Sequence, residues 1–164
     1  MQTDLTDGWG LTTNGTHLIA SDSTNVLTFM KPSVYATVKQ IEVTFDGDPV
    51  IHLNELEWVD GYILANIYEK ECIAKIDPAT GNIVGWILLN GLAEKTLGKE
   101  NTDSNKVMNG IAAIPEEEDT IYVTGKHWPT LYKILLKPEV NWDAYGSPSE
   151  IKVICMVDPK NARF

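Results

Sequence analysis

Residues 53–89 read LNELEWVDGYILANIYEKECIAKIDPATGNIVGWILL. Short apolar segments follow one another in this run, parted by turn punctuation at Asp60-Gly61, at Glu69-Lys70-Glu71 and at Asp77-Pro78-Ala79-Thr80-Gly81. These are turn signals with a mechanism: Asp bonds its own backbone, Pro presets φ, and Gly supplies a positive φ. The segments between them, YILANI from Tyr62, CIAKI from Cys72 and IVGWILL from Ile83, are too short and too β-branched for helices. Strand, tight turn, strand, turn, strand is an antiparallel meander. The stretch reads as one sheet unit of a larger all-β assembly.

The same punctuation recurs on either side. Upstream, WGLTT from Trp9, HLIAS from His17 and VLTFM from Val26 are strand-sized, with turns at Asn14-Gly15 and Ser23-Thr24-Asn25. Residues 36–45 offer a fourth strand. Downstream, residues 91–106 are polar, with Leu92, Ala93 and Leu97 at helical spacing, and read as a loop insertion carrying one helical turn. MNGIAAI from Met108, DTIYVT from Asp119 and LYKILL from Leu131 then give three more strands. The stretch 150–157 reads as a fourth, after a loop at 137–149 rich in Pro, Gly and Asn.

Laid over one another, these passages are repeats. Trp9-Gly-Leu, Asn54-Glu-Leu and Asn109-Gly-Ile each open a first strand, and each third strand has a Pro soon after it. A period of about 45 residues with four strands per unit is the signature of a β-propeller. The expected architecture is therefore all-β. Residues 1–164 make a partial propeller domain of about three blades, with units near 7–45, 50–90 and 107–157. Three units do not close a ring, so the chain is expected to be part of a larger one.

Bulk properties narrow the partners. The 164 residues are 43% hydrophobic and 22% charged, ordinary for a globular protein. The net charge is −10, with no block of Lys or Arg. Nucleic acid and anionic membrane surfaces are poor partners for such a chain, since phosphate binding needs clustered positive charge. No apolar run reaches the length of a bilayer span, so membrane insertion is not expected. Cys72 and Cys155 lie in apolar surroundings and read as two buried free thiols rather than a disulfide or a metal pair. His17, His52 and His127 have no ligand spacing, so no metal site is expected. Asn14-Gly15-Thr16 matches a glycosylation sequon but reads as a plain turn.

Repeat geometry also locates a site. In a propeller blade the first strand lies nearest the axis and the second runs antiparallel to it. The start of the one and the end of the other thus share a rim. That rim collects Trp9, Asn54 and Asn109, together with Ser21, Asp22, Asn66, Tyr68, Thr124, Lys126 and the nearby Trp128. Aromatic walls, carboxamides and a lysine converging on a pocket suit a small polar ligand. Glu55 and Glu57, two apart on a strand, share a face. Glu55 is retained as an outside candidate for proton transfer. Trp58, Trp86 and Trp128 read as packing, and Glu116–Asp119 as a solvated turn.

The motifs Asp7-Gly-Trp-Gly-Leu, Leu53-Asn-Glu-Leu-Glu-Trp with Ala65-Asn66, Ile76-Asp-Pro-Ala-Thr-Gly with Gly85-Trp86-Ile87, and Asn109-Gly-Ile with Val123-Thr-Gly-Lys-His-Trp-Pro resemble plant-type glutaminyl-peptide cyclotransferases. The resemblance covers residues 7–136 and implies a five-bladed propeller. It implies an acyltransferase that converts the N-terminal glutamine of a peptide to pyroglutamate and releases ammonia, without cofactor or metal. The partner so implied is a peptide or protein substrate with N-terminal Gln. By the same resemblance Trp9 is an aromatic wall against the glutamine side chain, Asn54 bonds the reacting carboxamide, and Lys126 stabilises developing negative charge. Tyr68 falls where the family has tryptophan. Asn54 and Lys126 are the catalytic expectations, and Trp9, Asn54, Tyr68 and Lys126 the substrate-binding ones.

One family motif has no counterpart. The acid/base glutamate of the family lies in a Phe-Gly-Glu-Gly motif on a blade N-terminal to Asp-Gly-Trp-Gly, and this sequence contains none. The expectation is a C-terminal portion of the enzyme, inactive by itself, whose full-length relatives carry a secretory signal upstream and act in the secretory pathway or outside the cell. The rival reading is a catalytically incomplete propeller fragment that serves as a peptide-binding or structural module.

Overall fold

The computed structural model describes residue 5 and residues 7–101, 103–136 and 147–158. Three antiparallel sheets follow one another along the chain. The first holds β1 (Gly10–Thr13), β2 (Leu18–Ser21), β3 (Val26–Met30) and β4 (Thr37–Glu42) in that spatial order. A small hairpin, β5 (Thr44–Phe45) with β6 (Asp48–Pro49), leads to the second. There β7 (Leu53–Val59), β8 (Tyr62–Ile67), β9 (Cys72–Ile76) and β10 (Ile83–Leu88) again lie in sequence order. After a helical turn, α1 (Leu92–Leu97), the third sheet comprises β11 (Met108–Ala112), β12 (Thr120–Gly125) and β13 (Tyr132–Leu135). The expected strand at 36–45 is divided between β4 and β5, because the chain turns into the hairpin after Val43.

The turns form for the reasons the residues state. Asp77 accepts from the backbone N–H of Ala79 through Oδ1 and from the Thr80 hydroxyl through Oδ2, while Gly81 takes φ 81°. Those bonds hold the Asp77 carboxyl below its ordinary range, the Ala79 N–H first among them. Asn14 closes its turn by accepting from the N–H of Thr16 and of His17.

Packing sets the sheets face to face. The first strands are neighbours, β1 beside β7 and β7 beside β11, so three blades are arrayed about one side in a β-propeller-like fold. One core lies between the first and second sheets: Ile19, Leu27 and Phe29 meet Leu53, Leu56, Ile63, Ala65, Ile67, Ala74 and Trp86. A second lies between the second and third sheets, where Leu64 and Ile73 meet Met108, Ile111, Ile121, Val123 and Trp128. The middle sheet is therefore covered on both faces, which is why its strands are nearly continuous apolar runs. Alternation along β8 sends Ile63, Ala65 and Ile67 to one core, and Leu64 with Asn66 to the other side.

Two expectations are corrected here. The stretch 150–157 is no strand: α2 spans Pro148–Cys155. Ser147 and Glu150 form a reciprocal capping box with Pro148 in the first turn, and Ile151 and Cys155, four apart, bury one face against the first core. The two cysteines are not free thiols either. Cys72 of β9 and Cys155 of α2 form a disulfide with Cα atoms 5.6 Å apart. Sequence spacing hid this, because 83 residues separate the partners and only the docking of α2 brings them together. Lys152 adds ion pairs to Asp46 (2.9 Å) and Asp48 (2.7 Å).

Candidate functional site

In each sheet the start of the first strand and the end of the second are tied by a backbone hydrogen bond. Trp9 N–H donates to Ser21 (3.1 Å), Tyr68 N–H to His52 (3.0 Å) and Lys126 N–H to Val107 (2.9 Å). These ties define one rim shared by the three sheets. Both inner strands of the later sheets are bulged there. Asn54 and Glu55 together oppose Asn66, and Asn109 and Gly110 together oppose Thr124. A bulge re-aims side chains at the point where it occurs, so Asn54 and Asn109 occupy equivalent, irregular positions.

The blades interlock at this rim. Gly10 brings β1 so close to β7 that a Cβ would lie 2.0 Å from the Asn54 carbonyl oxygen. The buried Ser21 hydroxyl donates to that same oxygen at 2.6 Å. From β7, the Glu55 carboxylate accepts from Ile111 N–H (2.8 Å) and the Glu57 carboxylate from Ala113 N–H (3.0 Å). From β8, Asn66 Oδ1 accepts from Gly110 N–H (2.9 Å). Side chains thus do between blades what strand pairing does within them.

Above these struts sits an aromatic cluster. The Trp9 and Tyr68 rings meet edge to face with centroids 5.3 Å apart, and His52 lies 6.0 Å from Trp9 and 6.1 Å from Tyr68. The Lys126 ammonium stands 5.2 Å from the centre of the Tyr68 ring, a cation–π contact. Trp9 is anchored by its indole N–H to Asp7 at 2.7 Å. The structure accordingly brings Trp9, Tyr68 and Lys126 together from three different sheets. Asn54 is buried within the same rim. Trp58, Trp86 and Trp128 lie in or against the cores; Trp128 also donates to the Lys106 carbonyl at 3.2 Å.

Two ionisable groups here are perturbed. Glu55 is pushed up to about 7, chiefly because burial disfavours its charge; Glu57 nearby pushes the same way, and the Ile111 N–H opposes. His52, 2% exposed, is held below its ordinary value by burial, with Glu69 opposing. Sequence reasoning set His52 aside for want of ligand spacing. Its signal was positional, immediately before a first strand. Among the described residues no cluster of three or more His, Cys, Asp or Glu is placed to hold a metal. Rings and a cation on a rim that also holds carboxamides are groups that suit a small polar ligand.

The sequence model of glutamine cyclotransferases matches residues 1–136. Glutaminyl-peptide cyclotransferase of Arabidopsis thaliana is 41% identical over 133 residues, which are 81% of this chain and 41% of that protein. The crystal structure of Myxococcus xanthus glutaminyl cyclase matches with TM-score 0.72 at 40% identity, over 77% of this chain and 53% of that one. Hsv2 of Kluyveromyces lactis shares the fold alone, with TM-score 0.52 at 8% identity over 80% of this chain and 33% of its own. The chain spans about half the length of the relatives it matches in sequence.

Proposed function

Because the chain belongs to the glutamine cyclotransferase family, we propose that its protein cyclises N-terminal glutamine of peptides to pyroglutamate, releasing ammonia. The observation that carries this reading is the convergence of Trp9, Tyr68 and Lys126 from three sheets on the rim where Asn54 is also buried. The reaction requires the peptide α-amine to attack the side-chain carboxamide carbon. A tetrahedral oxyanion forms, and nitrogen leaves once protonated. A flexible glutamine side chain must first be held curled, and the touching Trp9 and Tyr68 rings give it one aromatic wall to lie against. Asn54 then bonds the reacting carboxamide, and the Lys126 ammonium faces the developing negative charge. The Tyr68 ring beside Lys126 fixes the ammonium without neutralising it, as a carboxylate would.

Proton transfer is the step for which this sequence offers the least. It contains no Phe-Gly-Glu-Gly motif, and Glu55 is engaged with Ile111. The 164-residue polypeptide assayed by itself is therefore expected to bind a Gln-initiated peptide without accelerating its cyclisation. Secretion or another oxidising setting is supported by the Cys72–Cys155 disulfide.

The test is ammonia release from a Gln-initiated tripeptide by the protein at its natural full length. Lys126→Ala and Asn54→Ala are each expected to lower turnover by about 100-fold, as loss of one transition-state donor does elsewhere. Unchanged turnover in both variants removes them from the site.

A further inference from the structure

His52 stands at the joint between the first two blades, immediately before β7. Its backbone is bonded to both. The N–H donates to the Ser23 carbonyl at 2.6 Å, just past β2, and the carbonyl accepts from Tyr68 N–H at 3.0 Å, just past β8. With both bonds made, the residue sits at φ 64°, in the left-handed region that side chains seldom enter. Strain of this kind persists where the surroundings over-determine it. Glycine would meet the same backbone requirement at lower cost. The backbone therefore does not account for an imidazole at this position.

The ring contacts do. His52 is 2% exposed, and its ring lies 6.0 Å from that of Trp9 and 6.1 Å from that of Tyr68, tilted by 53° and 54°. The Trp9 and Tyr68 rings are themselves 5.3 Å apart. The three centroids thus form a nearly even triangle, with every pair at aromatic contact distance. Trp9 comes from the first blade and Tyr68 from the second, and both are half-buried, while Lys126 against Tyr68 is exposed. His52 is the buried member of a cluster whose other members reach solvent. A peptide can meet the wall without touching the imidazole. Burial holds His52 below its ordinary value, with Glu69 opposing, so at neutral pH the ring is an uncharged spacer and adds no charge beside Lys126.

We infer that His52 is a positioning residue, whose ring sets the separation and tilt of the Trp9 and Tyr68 rings and so shapes the wall that receives the substrate's glutamine side chain. The inference rests on the proposed cyclisation of N-terminal glutamine and assigns to that site a residue that never meets the substrate. The wall touches the side chain before and during reaction alike. Its distortion weakens ground state and transition state equally, which raises KM and leaves kcat. A merely structural role has a different signature: fewer folded molecules lower the apparent kcat and leave KM where it was.

The experiment uses the full-length protein and a tripeptide beginning with Gln. Turnover is read from ammonia release and affinity from titration calorimetry. His52→Asn tolerates the left-handed backbone but removes the ring, and is expected to raise KM and Kd about tenfold with kcat within about twofold. His52→Phe restores a flat ring and should bring both constants back to within about threefold of the wild type. Wild-type KM and Kd in His52→Asn overturn the inference, as does a fall in kcat alone or a His52→Phe variant no better than His52→Asn. KM does not depend on the folded fraction, so a partly unfolded preparation still decides. Should His52→Asn not fold, His52→Gln is judged by the same criteria, and failure of both to fold assigns His52 to the fold alone and overturns the inference. Weakened binding in His52→Asn, rescued in His52→Phe, while the wild-type protein releases no ammonia keeps the positioning role and removes the cyclisation reading. Ammonia release with KM and Kd unmoved does the reverse, and a wild-type protein that neither binds the peptide nor releases ammonia removes both.

Discussion

Glu55 shows how one residue ties stability to the site. Its carboxyl is pushed up to about 7 by burial between β7 and β11, while it accepts from Ile111 N–H. An unfolded glutamate titrates near 4.3. Between those values the folded chain keeps a proton that the unfolded chain has lost. The associated stability is present in full at low pH and is lost as pH rises through about 7. Glu55→Gln keeps an acceptor for Ile111 and cannot ionise. Its urea midpoint is expected to exceed that of the wild type at pH 8, by the equivalent of about 3–4 kcal/mol, and to match it near pH 4. A difference independent of pH would show that Glu55 does not titrate in this window. Residues of this kind were only half legible in the sequence. Trp9, Asn54 and Lys126 sit in motifs, but the clamps made by Glu55 and Asn66 are contacts between blades. Those contacts depend on bulges that no periodicity announces.

Helix α2 shows where local sequence misleads and where it would have served. Ile151, Val153 and Cys155 alternate as a strand would, yet Val153 is 78% exposed while Ile151 and Cys155 are buried. The i, i+4 spacing of the buried pair fits a helix, and Ser147-Pro148-Ser149-Glu150 is a start signal that outweighs three β-branched residues. The helix is held by the disulfide to Cys72 and by the Lys152 pairs to the β5–β6 hairpin. The ion pairs are at the surface and contribute little. The disulfide closes a loop of 83 residues, and the chain-entropy account gives it about 4.5 kcal/mol. The double variant Cys72→Ala with Cys155→Ala is accordingly expected to lose about that stability in urea unfolding. Limited proteolysis should then cut first near α2. Equal stability with and without the bond would mean that α2 is held by its apolar face alone.

At the scale of the molecule, the three sheets do not have equal cover, and that inequality has a measurable consequence. The repeat made the blade order legible from spacing alone, because every unit begins with an inner strand marked by Trp9, Asn54 or Asn109. What spacing did not reveal was which faces meet. Burial decides it: β8 and β9 are buried along nearly their whole lengths, with one core on either side. By contrast β4 is exposed at every position but Ile41, and Leu135 of β13 is 70% exposed. Local opening is cheapest where few apolar contacts are lost. Amide hydrogen exchange should therefore form a gradient outward from the middle sheet. The N–H groups of β8 and β9 are expected to exchange only through global unfolding, and those of β4 and β13 about 100-fold or more faster. The rim bonds offer a finer check. Gly110 and Ile111 donate to side chains of the neighbouring blade and not to a strand partner. Their exchange should accelerate together in Asn66→Ala, while β8 and β9 stay slow. Acceleration across the whole middle sheet would instead mean that the blades open as one unit and that the rim does not form a separate point of yield.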